Sequence, residues 1–125
     1  MTSRLTSGVD LIEISRFAEI DPAIRERFIQ RVFTPGEKEQ CAGLNERLAG
    51  KFAAKEAVAK ALGSGIGQVH WREIIILDDP SGQPVVELVG KAAQVAEALH
   101  LTDWSVSISH TREVAAAIAV GMRDQ

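Results

Sequence analysis

Cysteine is almost absent from this chain. Cys41 stands alone among 125 residues, so no disulfide can form within the chain. None is needed at a length where roughly two thirds of the unfolded surface can be buried. There is no excess of positive charge either: 14 Lys and Arg against 17 Asp and Glu leave a net charge of −3. That balance argues against nucleic-acid binding and leaves only a local basic face open. No stretch approaches the ~18 apolar residues of a membrane span. Residues 1–8 carry no apolar core with a cleavage site, so the cytoplasm is the expected location and no membrane partner is expected. Repeats, linkers and low-complexity tracts are missing as well. What is present is balance: 46% hydrophobic and 25% charged residues, the composition of a folded domain rather than a disordered chain. One core, and a single domain over residues 1–125, is the expectation.

Residues 5–14 are rich in aliphatic and β-branched side chains and predict a strand interrupted by one acid, Asp10. From Ser15 to Val32, Phe17, Ile20, Ile24, Phe28 and Val32 recur at helical spacing, with a break at Asp21-Pro22 where proline restricts its predecessor and favours a new helix start. Thr34-Pro35-Gly36-Glu37 reads as a capping box that opens a short helix to about Leu44. Residues 45–62 are dense in Ala, Leu, Lys and Glu and predict the longest helix, ended by the glycines from Gly63 to Gly67. Two strand-like runs, 71–77 and 84–89, flank a cluster of turn formers. A helix over 91–100 follows, then the alternation of Trp104, Val106 and Ile108 with Ser105, Ser107 and Ser109, and a last strand over 114–120. The order predicts an α+β fold, a mostly antiparallel sheet with helices packed on one face.

Three segments hold polar residues that the pattern does not require. On the long helix, Phe52, Glu56 and Lys60 fall four apart, with Lys51 and Lys55 on the adjoining stripe, which suggests an acid among three ammonium groups. The plainer reading is a solvated helix pair between Glu56 and Lys60, worth about 0.3–0.5 kcal/mol. Asp10 in an apolar strand must be exposed, hydrogen-bonded or bound to a cation, because an unpaired buried carboxylate costs several kcal/mol. Should Asp10 and Glu56 converge, their oxygens suit Mg²⁺, a hard cation that takes one or two carboxylates and accepts phosphate oxygens. The histidines lack transition-metal spacing, and Cys41 reads as a small core residue. Gly63, Gly65 and their neighbours could let amides approach a phosphate, although no Walker lysine follows, and helix termination accounts for Gly63. His110 beside Ser107 and Ser109 is either a turn residue or a phosphate donor. Arg16, Arg25, Arg27 and Arg31 form either a solvated face or a surface for an acidic partner.

Taken in order, five pieces resemble the holo-acyl-carrier-protein synthase family of phosphopantetheinyl transferases across nearly the whole chain. They are residues 8–11 with Arg16 downstream, residues 33–37, residues 51–61, residues 63–67 and residues 107–111. The resemblance implies the fold of that family and transfer of the 4′-phosphopantetheine arm of coenzyme A to a serine of apo acyl carrier protein, in fatty acid biosynthesis, with release of adenosine 3′,5′-bisphosphate. It implies Mg²⁺ held by Asp10 and Glu56, with Lys60 near the bridging phosphate oxygens; on that basis Glu56, or a metal-bound water that it orients, is the candidate proton acceptor. It also implies coenzyme A contacts from Lys51, Lys55, Gly63, Ser64, Gly65, Ser109, His110 and Thr111, carrier contacts from Arg16, Arg25 and Arg27, and a homotrimer with sites between protomers. Two positions depart from the family: Lys51 stands where arginine is usual and Ser64 where threonine is usual, and a lysine lacks the bidentate fork. A noncatalytic coenzyme A or nucleotide binder and a different metal-dependent nucleotide phosphotransferase or hydrolase are the rival readings.

Overall fold

A computed structural model describes residues 3–63 and 68–124. The chain opens with strand β1 (Leu5–Glu13), helices α1 (Ser15–Ala18), α2 (Pro22–Val32) and α3 (Pro35–Cys41), and the long helix α4 (Asn45–Ala61). A 3₁₀ turn (Trp71–Glu73) leads into β2 (Ile74–Asp78) and β3 (Pro84–Leu88), followed by α5 (Gly90–Ala98), β4 (Leu101–His110) and β5 (Val114–Arg123). The expected break between the first helices is there, and Asp21 makes it: its side chain accepts from the amides of Ala23 and Ile24 ahead of Pro22. The capping box at Thr34 is closed in both directions, Glu37 N–H to Thr34 Oγ1 and Thr34 N–H to Glu37 Oε1.

The described strands form two sheets rather than one. β1, β5 and β4 pair antiparallel in that order, and β2 with β3 makes a separate hairpin. The strand expected from Trp71 begins only at Ile74. Glu73 reaches back to cap the His70 amide, and Lys55 draws the carbonyls of Trp71 and Ile74 inward, which curls residues 71–73 into a turn.

α4 lies across the inner face of the three-stranded sheet and is covered on nearly every side; of its last ten residues only Glu56 and Lys60 escape full burial. Its alanines (Ala53, Ala54, Ala57, Ala61) let the helix approach the strands closely. At Gly8 the β1 backbone touches α4 itself: an added Cβ would overlap the Ala57 carbonyl oxygen. The core around this contact includes Ile12, Phe17, Val32, Leu48, Val58 and Val106. The opposite face of the sheet is left open, with Leu5, Val9, Leu11 and Ile118 between 47% and 67% exposed.

Candidate active site

Strand alternation sends Asp10 to the inner face of β1, between exposed Val9 and Leu11. The close approach at Gly8 then puts α4 within reach. Lys60 donates to the Val9 carbonyl at 2.9 Å and to Asp10 Oδ1 at 3.0 Å. One turn earlier on the same helix, Glu56 accepts from the indole N–H of Trp71, Nε1 to Oε1 at 3.1 Å. Asp10 and Glu56 line one cleft of about 710 Å³, within the ~300–1,000 Å³ usual for ligand pockets. Arg16 stands in its wall. Phe17, Phe28, Phe52 and Trp71 supply an apolar side, packed edge to face or tilted with centroids 5.3–6.2 Å apart.

Asp10 Oδ2 is buried with no hydrogen-bond partner among the described residues. A buried carboxylate oxygen left alone costs upwards of about 1–3 kcal/mol, so this atom favours a cation beside it. Two carboxylates lining one cleft, one oxygen of them orphaned, fit a hard dication that completes its shell with water and phosphate oxygens. Among the described residues no cluster of three or more His, Cys, Asp or Glu offers a transition-metal site.

The other expected site residues divide. The three ammonium groups do not gather around the acid. Lys55 has no exposed side-chain surface, and its protons go to Glu37 Oε1 at 2.8 Å, Trp71 O at 2.9 Å and Ile74 O at 2.6 Å. Burial pulls its pKa down and the Glu37 charge opposes that pull. Lys51, 3% exposed, donates to Ile76 O and Gln40 Oε1 and pairs with Asp78 at 3.5 Å. Both brace the β2–β3 hairpin and α3 instead of lining the cleft, because a buried ammonium persists only when its donors are taken up. Arg25 also turns inward, to Phe17 O, Gly43 O and Asn45 Oδ1, and so bridges α1 and α2 to the start of α4. Arg16 and Arg27 are exposed.

Gly63 takes a left-handed φ of 77° at the end of α4, the backbone that glycine adopts without strain; Ser64 and Gly65 lie outside the described residues. Ser109 pairs with Ala116 and, through it, with Leu11 on the open face of the sheet, opposite to Asp10. His110 is exposed, its Nδ1 3.1 Å from the Thr111 carbonyl. A carbonyl only accepts, so this contact is a hydrogen bond in the tautomer that carries its proton on Nδ1. The Thr111 hydroxyl accepts the amides of Glu113 and Val114 in the β4–β5 turn. Two residues that shape the cleft escaped the sequence reading, Trp71 and Glu37 in its role as partner of Lys55. The available signal was the pair of lysines four apart in an alanine-rich helix, which, if that face is buried, requires an internal acid.

The model of the 4′-phosphopantetheinyl transferase superfamily matches residues 7–119. The chain is 45% identical over 116 residues to the holo-[acyl-carrier-protein] synthase of Natranaerobius thermophilus, covering 90% of this chain and 93% of that protein. It is 45% identical over 125 residues to the enzyme of the same name from Herpetosiphon aurantiacus, covering 94% and 98%. The fold superposes on the crystal structure of Helicobacter pylori holo-[acyl-carrier-protein] synthase in complex with coenzyme A with a TM-score of 0.83 at 30% identity, over 92% of this chain and 98% of that one. On the strength of that match and of identity sustained across nearly the full length, the chain belongs to the holo-acyl-carrier-protein synthases of the 4′-phosphopantetheinyl transferase superfamily.

Proposed function

We propose that this protein moves the 4′-phosphopantetheine arm of coenzyme A onto a serine of apo acyl carrier protein, in the cytoplasm and in service of fatty acid biosynthesis. The observation that carries the proposal is the orphaned Asp10 carboxylate oxygen in the same cleft as Glu56, with Lys60 hydrogen-bonded to Asp10. Mg²⁺ held by Asp10 and Glu56 would supply charge neutralisation at the pyrophosphate. The rest falls to the chain. Glu56 keeps one oxygen free of the Trp71 bond, and Glu56 or a water that it orients takes the proton of the carrier serine. The serine oxygen attacks the phosphorus that bears the pantetheine arm, the bridging P–O bond breaks, and its electron pair leaves with adenosine 3′,5′-bisphosphate. Lys60, 53% exposed, has a third N–H to offer that departing oxygen beyond its bonds to Val9 and Asp10. Positioning and charge carry such a transfer, since phosphoryl groups need little covalent help.

Arg16 and Arg27 are the remaining candidates to receive the acidic carrier. Ser109, and His110 beside it, lie outside the Asp10 cleft, with Ser109 on the far face of the sheet. They meet coenzyme A only if another copy brings them, as in a homotrimer with sites shared between protomers. The open apolar sheet face supports the same assembly, because monomers rarely leave such patches uncovered.

The test incubates the protein with coenzyme A and Mg²⁺, with and without apo carrier. Transfer should require the carrier and yield holo carrier and adenosine 3′,5′-bisphosphate in equal amounts. Cleavage without the carrier would indicate a hydrolase, and neither product a mere binder. Glu56→Gln should bring transfer to background while leaving the melting temperature near that of the parent; retained turnover in that variant refutes the role given to Glu56.

A further inference from the structure

Trp71 is fixed by three kinds of contact. Its carbonyl accepts from Lys55, itself anchored by Glu37. Its ring packs against Phe28 and Phe52, with centroids 6.1 and 5.9 Å away. Its indole N–H points at Glu56 Oε1. An indole N–H only donates, whereas a carboxylate offers two oxygens as acceptors, so the contact occupies one Glu56 oxygen and leaves the second for a ligand. Packing on two phenylalanines asks for an aromatic ring and not for an N–H. Glutamate is a long, freely rotating side chain, and here it sits half-buried at the cleft, with the indole its one hydrogen-bond partner among the described residues.

Resting on the transferase reading above, we propose that Trp71 is a positioning residue. The buried Glu37–Lys55 pair sets its backbone, the phenylalanines set its ring, and its N–H holds the Glu56 carboxylate in the orientation that receives a divalent cation. The chain thereby couples a fully buried ion pair to a cleft acid through one tryptophan.

Trp71→Phe keeps a ring against Phe28 and Phe52 and removes the donor. With coenzyme A present and the carrier omitted, Mn²⁺ binding is read from the electron paramagnetic resonance signal of the free ion. The variant should bind about tenfold more weakly, at the lower edge of the roughly 10–100-fold loss that follows removal of a ligand's supporting hydrogen bond. In turnover, excess metal should then restore the rate. Should Trp71→Phe fold poorly, benzothienylalanine at position 71 has the shape of tryptophan without the N–H and carries the same expectation. Unchanged Mn²⁺ affinity in a folded variant, with a parent that modifies the carrier, overturns the role of Trp71 and leaves the transferase reading standing. A parent that fails to modify the carrier removes both.

Discussion

Among the described residues, the titratable groups with no exposed surface have either a charged partner or no charge at all. Lys55 and Glu37 follow the first course. Cys41 follows the second, since burial pushes its thiol up from 9.0 to about 11. The folded chain therefore holds this proton across a range where the unfolded chain has released it. The resulting contribution to stability is complete below pH 9 and is lost as the pH climbs through 11. Lys55 acts in the opposite sense, because its folded pKa lies below the ordinary 10.5 and unfolding takes up a proton there. Comparing the parent with Cys41→Ala cancels the Lys55 part. In urea unfolding from pH 8 to pH 11 the parent should lose stability more steeply than Cys41→Ala above pH 9, and parallel curves would contradict a protected thiol.

At the scale of elements, the site depends on how closely β1 lies on α4. Gly8 permits that approach, and through it Lys60 reaches Val9 and Asp10. Gly8→Ala must push the strand off backbone that cannot rotate away, and overpacking of this kind costs about 1–3 kcal/mol or more. A drop in melting temperature of roughly 4–10 °C is expected on that basis. Transfer activity should fall further than the stability loss explains, since Asp10 moves with the strand; a variant with parental melting and turnover would show that the contact is slack. The starts of α2, α3 and α4 were legible because Asp21, Thr34 and the run of helix formers act through their near neighbours, whereas α3, expected to run to about Leu44, ends at Cys41, where Ala42 turns left-handed. The start of β2 was not legible either. Its β-branched residues favour a strand, but the 3₁₀ turn before it is imposed by Lys55, at least 16 positions away in sequence.

For the whole molecule, the open sheet face is the feature with most consequence. Val9, Ile118 and Ser107 share one row, and Leu11, Ala116 and Ser109 the next. A carboxylate in the centre of this face would remain solvated in a single copy and be desolvated between copies. Ile118→Glu, at a position 47% exposed in the protomer, should thus leave the fold intact and yield monomers in analytical ultracentrifugation, with transfer lost in parallel. Active monomers would remove the shared-site arrangement. Alternation in β1 and β4 showed in the sequence which residues share a face. Which face α4 would cover, and hence that Ser109 and Asp10 part company, depended on packing.

The linear order of residues determined the helices, their caps, the strands and the set of acids and lysines from which a site could be drawn, because propensity, capping and alternation are decided over a few residues. Tertiary structure decided which of those groups are free to act. Lys51, Lys55 and Lys60 look alike along one helix, yet the first two are enclosed by α3 and the β2–β3 hairpin while the third reaches β1. A lysine's role follows from the dielectric and the acceptors around it, and those are supplied by segments 11 to 51 residues distant that only folding brings near.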